Sequence, residues 1–535
     1  MTITSTYTAT PQVDGLDDAD QDTLKGLIVK LNQKQVRNRL RSSYFDGQQG
    51  LVDLGISLPP SMREIGAVVG WPAKAVYSMS RRNIMQSFTS TAATPEDLGL
   101  VELWDTNHLD SKAPRAHTSA LTHSCAFGFV TDGDVESGQP AQLITTRSAL
   151  NATGTWDYYT ESLSEALEIV ARDAYGRATS MVLHFPGRYV MIQWDGRRWR
   201  GFERTHRFGM LAEALPYQAE LENPFGKSRI SRAVMYYTDS AVRTMLRTEV
   251  GAEFYNAPQR YALGAEEGAF QDKDGNALPG WSVTLGRLLT LSRDEDGNMP
   301  SVGQFAQQTM QPNLDQLRSI AMMLAGDLSI SVGSLGIVQD NPDSAEAIRA
   351  RNEELGIEIE HWQRTTLGPA WKRLAQKALA IKDDSPAALA AYRTIRPQWG
   401  SWAQASEVSQ AQASLARVQS IPRLAETDVE LEHMGYNVDE IERIKAQWAR
   451  SNSRSNIASL AAQALGTAES GAGDAEIAAA NIQKAKADAL GVFIRAGVDP
   501  ADAARRLGMD GIEFTGAVPV SLRLPVSDAK ALEVA

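Results

Sequence analysis

The chain has 535 residues, of which 43% are hydrophobic and 22% are charged, and its formal net charge is −12. This length exceeds what one hydrophobic core supports, and the composition is typical of folded proteins, so we expect several structural regions. The negative charge argues against a conventional nucleic-acid-binding protein, because such a protein attracts phosphates with a positive surface.

Cys125 is the only cysteine, which excludes an internal disulfide and a cysteine-based zinc site and fits assembly in a reducing cytoplasm. It lies two residues after His123 in an alternating stretch, and we interpret it as a buried strand thiol rather than a nucleophile. The first residues are polar and acidic, and no apolar run approaches the ~18 residues that a membrane span needs. We therefore expect no signal peptide and no membrane contact.

The first predicted helix carries Leu24, Ile28, Leu31 and Val36 at helical spacing, after a start that we expect to be disordered over residues 1–22. The end of this helix is basic. A solvated face is the simpler interpretation, since cations are favoured at a helix C-terminus, and a partner-binding surface is the alternative. The three cations are Arg37, Arg39 and Arg41.

Between about residues 120 and 208 the hydrophobic period shifts towards two, which predicts strands. The pairs Pro-Gly at 186–187 and Asp-Gly at 195–196 separate alternating runs. They predict two tight turns in a three-stranded antiparallel meander over about 178–203. Residues 161–174 (ESLSEALEIVARDA) are predicted to form a helix packed on this sheet.

Trp194, Arg197, Trp199 and Arg200 cluster around the second of these turns. Aromatic and basic side chains together could bind nucleic acid. On a hairpin, however, such residues more often form cross-strand pairs on one exposed face, and we favour that interpretation.

Several motifs that would indicate catalysis or ligand binding are incomplete, because required residues are missing at the necessary spacing. The tripeptide at 226–228 (GKS) resembles a phosphate-binding loop, but the glycine that this motif needs five residues earlier is Leu221. The acidic segments at 272–276 and 294–298 lack the glutamate at the twelfth position of a calcium loop, so we predict hairpin turns there. The histidines include no i, i+4 pair, and no nucleophile elbow or dinucleotide fingerprint is present. An enzyme would need dispersed catalytic residues.

The middle of the chain begins with a long helix predicted over 228–256, which Pro258 follows. Arg243 and Arg247 lie on a different face from its apolar stripe. That stripe consists of Ile230, Val234, Tyr237, Ala241 and Met245.

A second helix is predicted over 312–329, with Asn313 and Gln316 as a capping box. A small, uncharged loop follows, and then a third helix predicted over 343–382, which Gly368 and Pro369 should kink. The apolar stripe of the second helix consists of Leu314, Leu317, Ala321, Leu324 and Leu328.

Residues 394–402 (TIRPQWGSW) predict a short strand or turn, and the chain is then helical to about residue 465. A flexible linker at 466–476 precedes two short helices near the end. This helix pair could resemble a DNA-reading motif. Because its second helix offers only Arg505 and Arg506, we favour a small docking module.

The order helix, small α/β insertion, helix, Gly/Ser loop and long kinked helix resembles the portal proteins of tailed bacteriophages. Residues 223–264 are similar to their first stem helix running into the clip. Residues 314–375 are similar to the second stem helix, tunnel loop and kinked helix. The segments at 396–422 and 430–444 resemble the strand returning to the wing and the helical crown. The similarity covers roughly residues 30–465, and residues 487–525 resemble a C-terminal segment of one branch of the family.

The resemblance implies a mixed α+β, helix-rich fold with an α/β wing, a two-helix stem, a small α/β clip, a long kinked helix and a helical crown. The implied boundaries are 1–22 for a disordered N-terminal segment, 23–227 for the wing, 228–256 for the first stem helix, 257–311 for the clip, 312–329 for the second stem helix, 330–342 for the tunnel loop, 343–382 for the long kinked helix, 383–402 for the return to the wing, 403–465 for the crown and 466–535 for a linker with a C-terminal helical module.

The implied function is a ring, usually of twelve subunits, at one capsid vertex, through which double-stranded DNA is packaged by the terminase and later ejected. The implied partners are the terminase large subunit, a head–tail adaptor, and the major capsid and scaffolding proteins. The protein would reside in the virion, after assembly in the host cytoplasm, and would need no cofactor or metal. Another phage head component, such as a head-closure or minor capsid protein, and an enzyme with dispersed residues are the alternatives.

By the same resemblance, the loop after the second stem helix faces the channel. No lysine or arginine lies between Arg318 and Arg349, so this segment would let DNA slide without gripping its phosphates. Arg243 and Arg247 are candidates for a belt along the DNA backbone, and Gly368 and Pro369 for the helix kink. The candidate tunnel-loop residues are Ser331, Val332, Gly333, Ser334, Leu335, Gly336, Gln339, Asp340 and Asn341.

Overall fold

The computed structural model divides the chain into two compact units, residues 1–438 and 439–535, which we treat separately. The acidic segment at 272–276, the linker at 466–476 and the candidate residues Gln339, Asp340 and Asn341 lie outside what it describes. The residues that the structure describes are 8–50, 67–256, 260–263, 297, 299, 301–304, 309–337, 345–403, 407–436, 440–451, 486, 490 and 499–508.

Helices and strands alternate irregularly along the first unit, which makes it a mixed α+β protein. The strands are β1 (Val13–Asp14), β2 (Met85–Thr89), β3 (Cys125–Asp132), β4 (Gln142–Ser148), β5 (Ala152–Asp157), β6 (Ser162–Arg172), β7 (Ala178–Phe185), β8 (Arg188–Trp194), β9 (Trp199–Thr205), β10 (Ala212–Pro216), β11 (Arg260–Leu263), β12 (Ser301–Gln304) and β13 (Arg396–Trp399). The helices are α1 (Asp18–Phe45), α2 (Trp71–Ser80), α3 (Leu100–Thr106), α4 (Leu109–His123), α5 (Arg232–Asn256), α6 (Gln311–Asp327), α7 (Ala345–Trp362), α8 (Gly368–Lys382), α9 (Pro386–Tyr392), α10 (Glu407–Ser420) and α11 (Asp428–His433).

Two sheets form the centre of the first unit. The larger has the strand order β1-β9-β8-β7-β6-β5 and the smaller the order β10-β3-β4. Helix α1 covers one face of the larger sheet, and the smaller sheet packs on its other face through a shared apolar cluster. Helices α4 and α8 contact the far side of the smaller sheet. The result is a stack of helix, sheet, sheet and helices.

The meander predicted from the alternating pattern is confirmed. Strands β7, β8 and β9 pair antiparallel in direct succession. The first turn contains Gly187 at φ 82° and the second Gly196 at φ 95°, left-handed values that glycine adopts without the steric penalty of a side chain. Trp194 and Trp199 stand opposite each other at the second turn with ring centroids 5.7 Å apart, which confirms the cross-strand interpretation.

The helix predicted over 161–174 is wrong, because most of this segment is strand β6. Strand β6 lies inside the stack, so both of its faces are buried: Leu167 and Ile169 face α1, and Ala166 belongs to the cluster between the sheets. Apolar residues on both faces erase the two-residue alternation that identifies a half-exposed strand. The resulting distribution of apolar residues along the sequence resembles that of an amphipathic helix.

Buried Glu168 on β6 is tolerated because it has cationic and polar partners. Arg147 Nε lies 3.0 Å from one carboxylate oxygen, and His184 Nε2 lies 3.4 Å from the other. Burial alone would raise the pKa of Glu168, but His184 and Arg147 outweigh it and hold the pKa below its usual value. The carboxylate therefore stays charged inside the stack.

The expectation of disorder over residues 1–22 is wrong for residues 8–22. Strand β1 pairs with β9, Val13 is buried in the cluster beneath α1, and α1 begins at Asp18.

The buried face of α1 follows the prediction in its first half only. Leu24, Ile28 and Leu31 are buried as predicted, whereas Val36 is 56% exposed. Farther along, the helix meets the loop between β4 and β5, where the amides of Gln35 and Asn38 donate to backbone carbonyls. The buried side of the helix is polar there, with Gln35 and Asn38 in place of apolar residues. Val36 lies on another side of the helix and is exposed.

The predicted character of Cys125 is confirmed, since its thiol is buried at the start of β3 and burial raises its pKa. On the same strand, Gly128 allows α8 to approach the sheet closely. A Cβ atom at this position would lie 2.5 Å from Cδ1 of Leu374. A larger residue here would force α8 away from the sheet.

The last helices of the first unit are held by an ion pair between Arg417 on α10 and Glu430 on α11 at 3.0 Å. In the second unit, residues 440–451 and Pro500–Arg506 are helical. No helix among the residues described above is long and apolar enough to span a membrane.

Candidate functional site

The two helices that the resemblance assigns to the stem, α5 and α6, pack against each other. The capping box predicted for α6 is wrong: this helix begins at Gln311, so Asn313 already lies in its first turn. Pro312 explains the earlier start, because proline fits the first turn of a helix, where its missing N–H has no partner to lose. Helix α5 begins at Arg232, somewhat later than predicted.

Arg229, just before α5, binds four segments of the chain. Its Nε donates to the carbonyl of Ala75 on α2 at 2.8 Å, and its Nη2 donates to the carbonyl of Leu328 after α6 at 2.9 Å. Its Nη1 lies 2.9 Å from both carboxylate oxygens of Glu358 on α7 and 2.8 Å from the hydroxyl of Tyr217 after β10. This Arg229 cluster fixes the bases of both stem helices relative to α7.

The charge of Arg229 is retained although its side chain is only 4% exposed. Burial alone would lower its pKa, but Tyr217 and Glu358 outweigh that effect and raise it. Sequence reasoning missed this residue. The one available signal is an arginine directly before the apolar stripe that begins at Ile230, beside the tripeptide at 226–228.

The described part of the tunnel loop is folded rather than extended. Val332–Leu335 form one turn of 3-10 helix, in which the Ser331 hydroxyl accepts from the backbone N–H of Ser334 at 3.3 Å. The side chains of Val332 and Leu335 are buried, and the indole of Trp71 donates to the Leu335 carbonyl at 3.2 Å.

The assignment of Val332 and Leu335 to the channel-facing loop is therefore corrected, because their side chains face the core. Their apolar character explains this, because a short connection can bury two such residues without exposing its backbone. Gly333, Ser334 and Gly336 are exposed, and Gly336 ends the turn at φ 82°. A channel position for these exposed residues stays a prediction.

The arginines proposed for a DNA belt are both half-buried on α5. Arg243 donates to the hydroxyl of Ser240 at 3.0 Å and lies near Asp239, which accepts from the hydroxyl of Tyr44 at 2.8 Å. Burial raises the pKa of Asp239, while Tyr44 and Arg243 oppose the rise. Arg243 thus interacts inside the first unit, and Arg247 is also engaged in an interaction. Their contact with DNA stays a prediction.

The long helix is interrupted where Gly368 and Pro369 predict. Residues Gln363–Leu367 form a π-helical turn between α7 and α8, a common place for a helix axis to bend. Gln363 in this turn donates to the side-chain oxygen of Asn83 at 2.9 Å. The bend itself remains a prediction.

His117 on α4 lies beneath this turn, fully buried among aromatic rings. The indole of Trp371 donates to its Nε2 at 2.9 Å, so Nδ1 carries the proton and faces the carbonyl of Asn83 at 3.3 Å. Burial lowers the pKa of His117 to about 4. His123, at the end of the same helix, has its pKa lowered to about 4 by burial and by Arg41.

We expect acid to destabilise the first unit before its carboxylates titrate. A histidine that is neutral in the folded chain takes up a proton on unfolding below pH ~6.5, so stability is complete above that pH and falls towards pH ~4. His117 alone should account for about 3 kcal/mol across this window. The thermal unfolding midpoint, measured from pH 7.5 to 4.5, should therefore fall, and His117→Asn should flatten the profile. An unchanged wild-type midpoint would contradict this assignment.

Several large apolar side chains are exposed on the helices of the stem and on α7. Isolated exposed residues are ordinary, but a set of them on neighbouring helices is typical of an interaction surface. The members are Tyr236 on α5, Leu314, Met322 and Met323 on α6, and Ile357 on α7.

Comparison with known proteins identifies relatives of this chain. It is 26% identical over 350 residues to the portal protein of Mycobacterium phage L5, an alignment that covers 64% of this chain and 70% of the relative. It is 26% identical over 381 residues to the portal protein of Mycobacterium phage D29, covering 69% and 77%. The chain is related to phage portal proteins.

The portal resemblance stated from sequence is thus confirmed. No family model matches the chain. A solved structure described as the neck of a native GTA particle, computed with C12 symmetry, aligns with 73% of this chain and 95% of its own at 11% identity and a TM-score of 0.34.

Proposed function

We propose that this protein is the portal subunit of a tailed phage: a structural conduit at one capsid vertex, without catalytic activity. The observation that carries the proposal is the similarity to two portal proteins over about two thirds of the chain. The packed pair α5 and α6, followed by the interrupted helix α7–α8, supports it because these elements occur in the predicted order. The sheet stack is the proposed wing.

The proposed assembly is a ring, usually of twelve copies, with α5 and α6 as its stem. Ring closure needs head-to-tail contacts, in which each copy uses two different surfaces. The exposed apolar side chains on α5, α6 and α7 supply surface for such contacts. The Arg229 cluster would hold the stem at a constant position relative to α7 in every copy.

In the ring, the exposed residues Gly333, Ser334 and Gly336 would face the DNA. The cation-free interval between Arg318 and Arg349, with Asp327 exposed inside it, suits a surface that a duplex slides past. The proposed ligand is double-stranded DNA in transit, without sequence preference.

The proposed partners are the terminase large subunit, a head–tail adaptor, and the major capsid and scaffolding proteins. The proposed location is the portal vertex of the virion, reached by assembly in the host cytoplasm. The exposed apolar side chains would serve the subunit contacts first, since a portal must close as a ring before it docks other proteins.

The experiment that tests the proposal is light scattering on the purified full-length chain, followed by electron microscopy. We expect a large closed ring with a central hole. A species of 58.3 kDa at every concentration and salt would overturn the proposal.

A charge placed on the tunnel loop should impair packaging without affecting assembly. Ser334→Lys introduces a cation at an exposed position of the 3-10 turn, where it would bind passing phosphates. We expect a normal ring and at least a tenfold lower yield of packaged DNA. Ser334→Gln, which is polar and uncharged, is the matched control and should package normally. Equal yields from both variants would argue against a channel position.

A further inference from the structure

A cavity between α1 and the two sheets is lined by cations. It measures about 200 Å³. Helix α1 contributes Lys30, Lys34, Arg37 and Arg41, and Lys227 lies on the opposite side. None of the residues that line it is an aspartate or a glutamate, although Lys227 forms an ion pair with Glu220 outside the lining. We call this feature the cationic cavity; it includes two of the three arginines that the sequence left between a solvated face and a partner surface.

The four cations of α1 form one row on the helix, at spacings of four, three and four residues. Like charges at these spacings repel and destabilise a helix. This repulsion contributes to lowered pKa values of two cations that line the cavity. Burial lowers the pKa of Lys30, and Lys34 adds to the effect although Glu165 opposes it. Burial also lowers the pKa of Arg41 to about 10, with Arg37 adding to the effect.

The inner pair of the row is left without an anion. Lys30 donates to the carbonyl of Gly154 at 2.6 Å and Arg41 to that of His123 at 3.3 Å. Within the described ranges, Lys34 and Arg37 form no ion pair with a carboxylate. Lys34 and Arg37 are both exposed, so this repelling row is accessible to an anionic partner.

The apolar and aromatic part of the lining, which we call the floor, includes Phe127, Phe225 and Cys125, and the Lys30 ammonium lies over the Phe225 ring at 5.0 Å from its centroid. A cavity of about 150 Å³ is enough to hold a benzene ring. The cationic cavity therefore has room for one aromatic ring below its charged rim. A phosphate would use the rim but gain nothing from such a floor, so the combination favours an acidic peptide that carries an aromatic side chain.

The turn between β5 and β6 has this chemistry. Tyr159 at its tip is 96% exposed, and Asp157 and Glu161 flank it. The turn is rigid: the Asp157 carboxylate accepts from the backbone N–H of Tyr159 at 2.9 Å and from the hydroxyl of Thr160 at 2.7 Å. An ordered, fully exposed tyrosine is a typical interface anchor, because it buries a large area at little entropic cost. We call residues 157–161 the tyrosine turn.

The cavity and the turn lie at opposite ends of the same edge strand. Strand β5 is the last strand of the larger sheet; Ala152 at its start lines the cavity, and Asp157 at its end begins the turn. The strand separates them by about 17 Å at about 3.4 Å per residue. Complementary patches at the two ends of one strand suit head-to-tail association, in which each copy gives one patch and receives the other.

We propose that the cationic cavity of one copy binds the tyrosine turn of the next copy in the ring. The Tyr159 ring lies over the aromatic floor, and Glu161 lies beside Lys34 and Arg37. This inference rests on the ring of the proposed function, and it assigns that ring a contact between sheet edges in addition to any stem contact.

Charge exchange in the full-length chain tests the contact. Lys34→Glu and Glu161→Lys should each raise the concentration for half-maximal ring assembly roughly tenfold, as loss of one interface pair predicts. The double variant should return it to within about threefold of the wild type, because the pair is restored with reversed signs. A merely structural role would not give this rescue.

The tyrosine has its own matched control. Tyr159→Ala should weaken assembly at least tenfold, whereas Tyr175→Ala, at the β6–β7 turn and 80% exposed, should assemble as the wild type does. Both side chains are on the surface, so neither change should affect folding, which circular dichroism checks.

The outcomes separate this inference from the proposed function. If the wild type forms rings and all these variants assemble equally well, the contact is overturned and the portal proposal stands. If the wild type forms no ring, the portal proposal falls and the contact with it. If Lys34→Glu leaves assembly unchanged but abolishes binding of a 30-base-pair duplex in a gel-shift assay, the cavity holds phosphate and the contact is overturned.

Discussion

Arg229→Met is expected to lower the free energy of unfolding by about 3–5 kcal/mol, the range found when one partner of a buried ion pair is removed. The substitution keeps most of the side-chain volume but leaves the Glu358 carboxylate without its cation. It also removes the Arg229 donors from the carbonyls of Ala75 and Leu328, of which the Ala75 carbonyl keeps a bond from the Ser78 hydroxyl. The shift in the thermal midpoint, read by circular dichroism at pH 7.5, measures the effect.

Arg364→Met is the matched control, because the same chemical change is made at a surface pair. Arg364 lies 3.0 Å from Glu360 in an i, i+4 pair, and its side chain is 80% exposed. Such pairs contribute about 0.5 kcal/mol or less. Equal shifts for both variants would show that the Arg229 cluster does not stabilise the junction of the stem and α7.

Trp371→Ala is expected to have an effect of similar size, about 3–5 kcal/mol, because it removes a large, fully buried ring and leaves a cavity. The indole also donates to His117, so its loss leaves the Nε2 atom of that histidine without a partner. Chemical denaturation followed by the fluorescence of the remaining tryptophans measures the change.

Two further variants separate the contributions of Trp371. Trp371→Phe keeps most of the packing and removes the N–H donor, so its smaller loss reports the hydrogen bond to His117. Trp194→Ala removes a half-exposed ring on the β8–β9 hairpin and should cost about 1 kcal/mol or less. A Trp371→Ala variant as stable as Trp194→Ala would contradict the packing described for α8.

The elements that the sequence predicted correctly are those whose pattern is local. The β7–β9 meander follows from alternation and two glycine turns, and α6 from a stripe of apolar residues. The interruption before α8 follows from Gly368 and Pro369. In each case, neighbours in sequence determine the backbone conformation.

The elements that the sequence did not predict depend on distant segments. Strand β6 resembled a helix because a second sheet buries the face that would otherwise be polar. Arg229 has partners on segments from residue 75 to residue 358, a separation that no spacing rule reports. Val332 and Leu335 appeared to belong to a free loop because the partner of that loop, Trp71, is far away in the chain.

The row Lys30, Lys34, Arg37 and Arg41 could have been found from sequence. Its spacing places all four side chains on one helical face, whereas Arg39, two residues from both Arg37 and Arg41, does not share that face. The aromatic floor opposite that face could not have been found, because it comes from β3 and from the segment before α5.

The π-helical turn at Gln363–Leu367 separates two halves of the long helix that are anchored to different parts of the protein. Helix α7 is tied through Glu358 to the junction that holds the stem bases, whereas α8 is seated on the smaller sheet at Gly128 and Leu374. A movement of the stem that travels along the long helix would therefore have to pass through this turn before it reaches α8. Helix axes commonly bend at π-helical turns, so the two halves can change their relative orientation there.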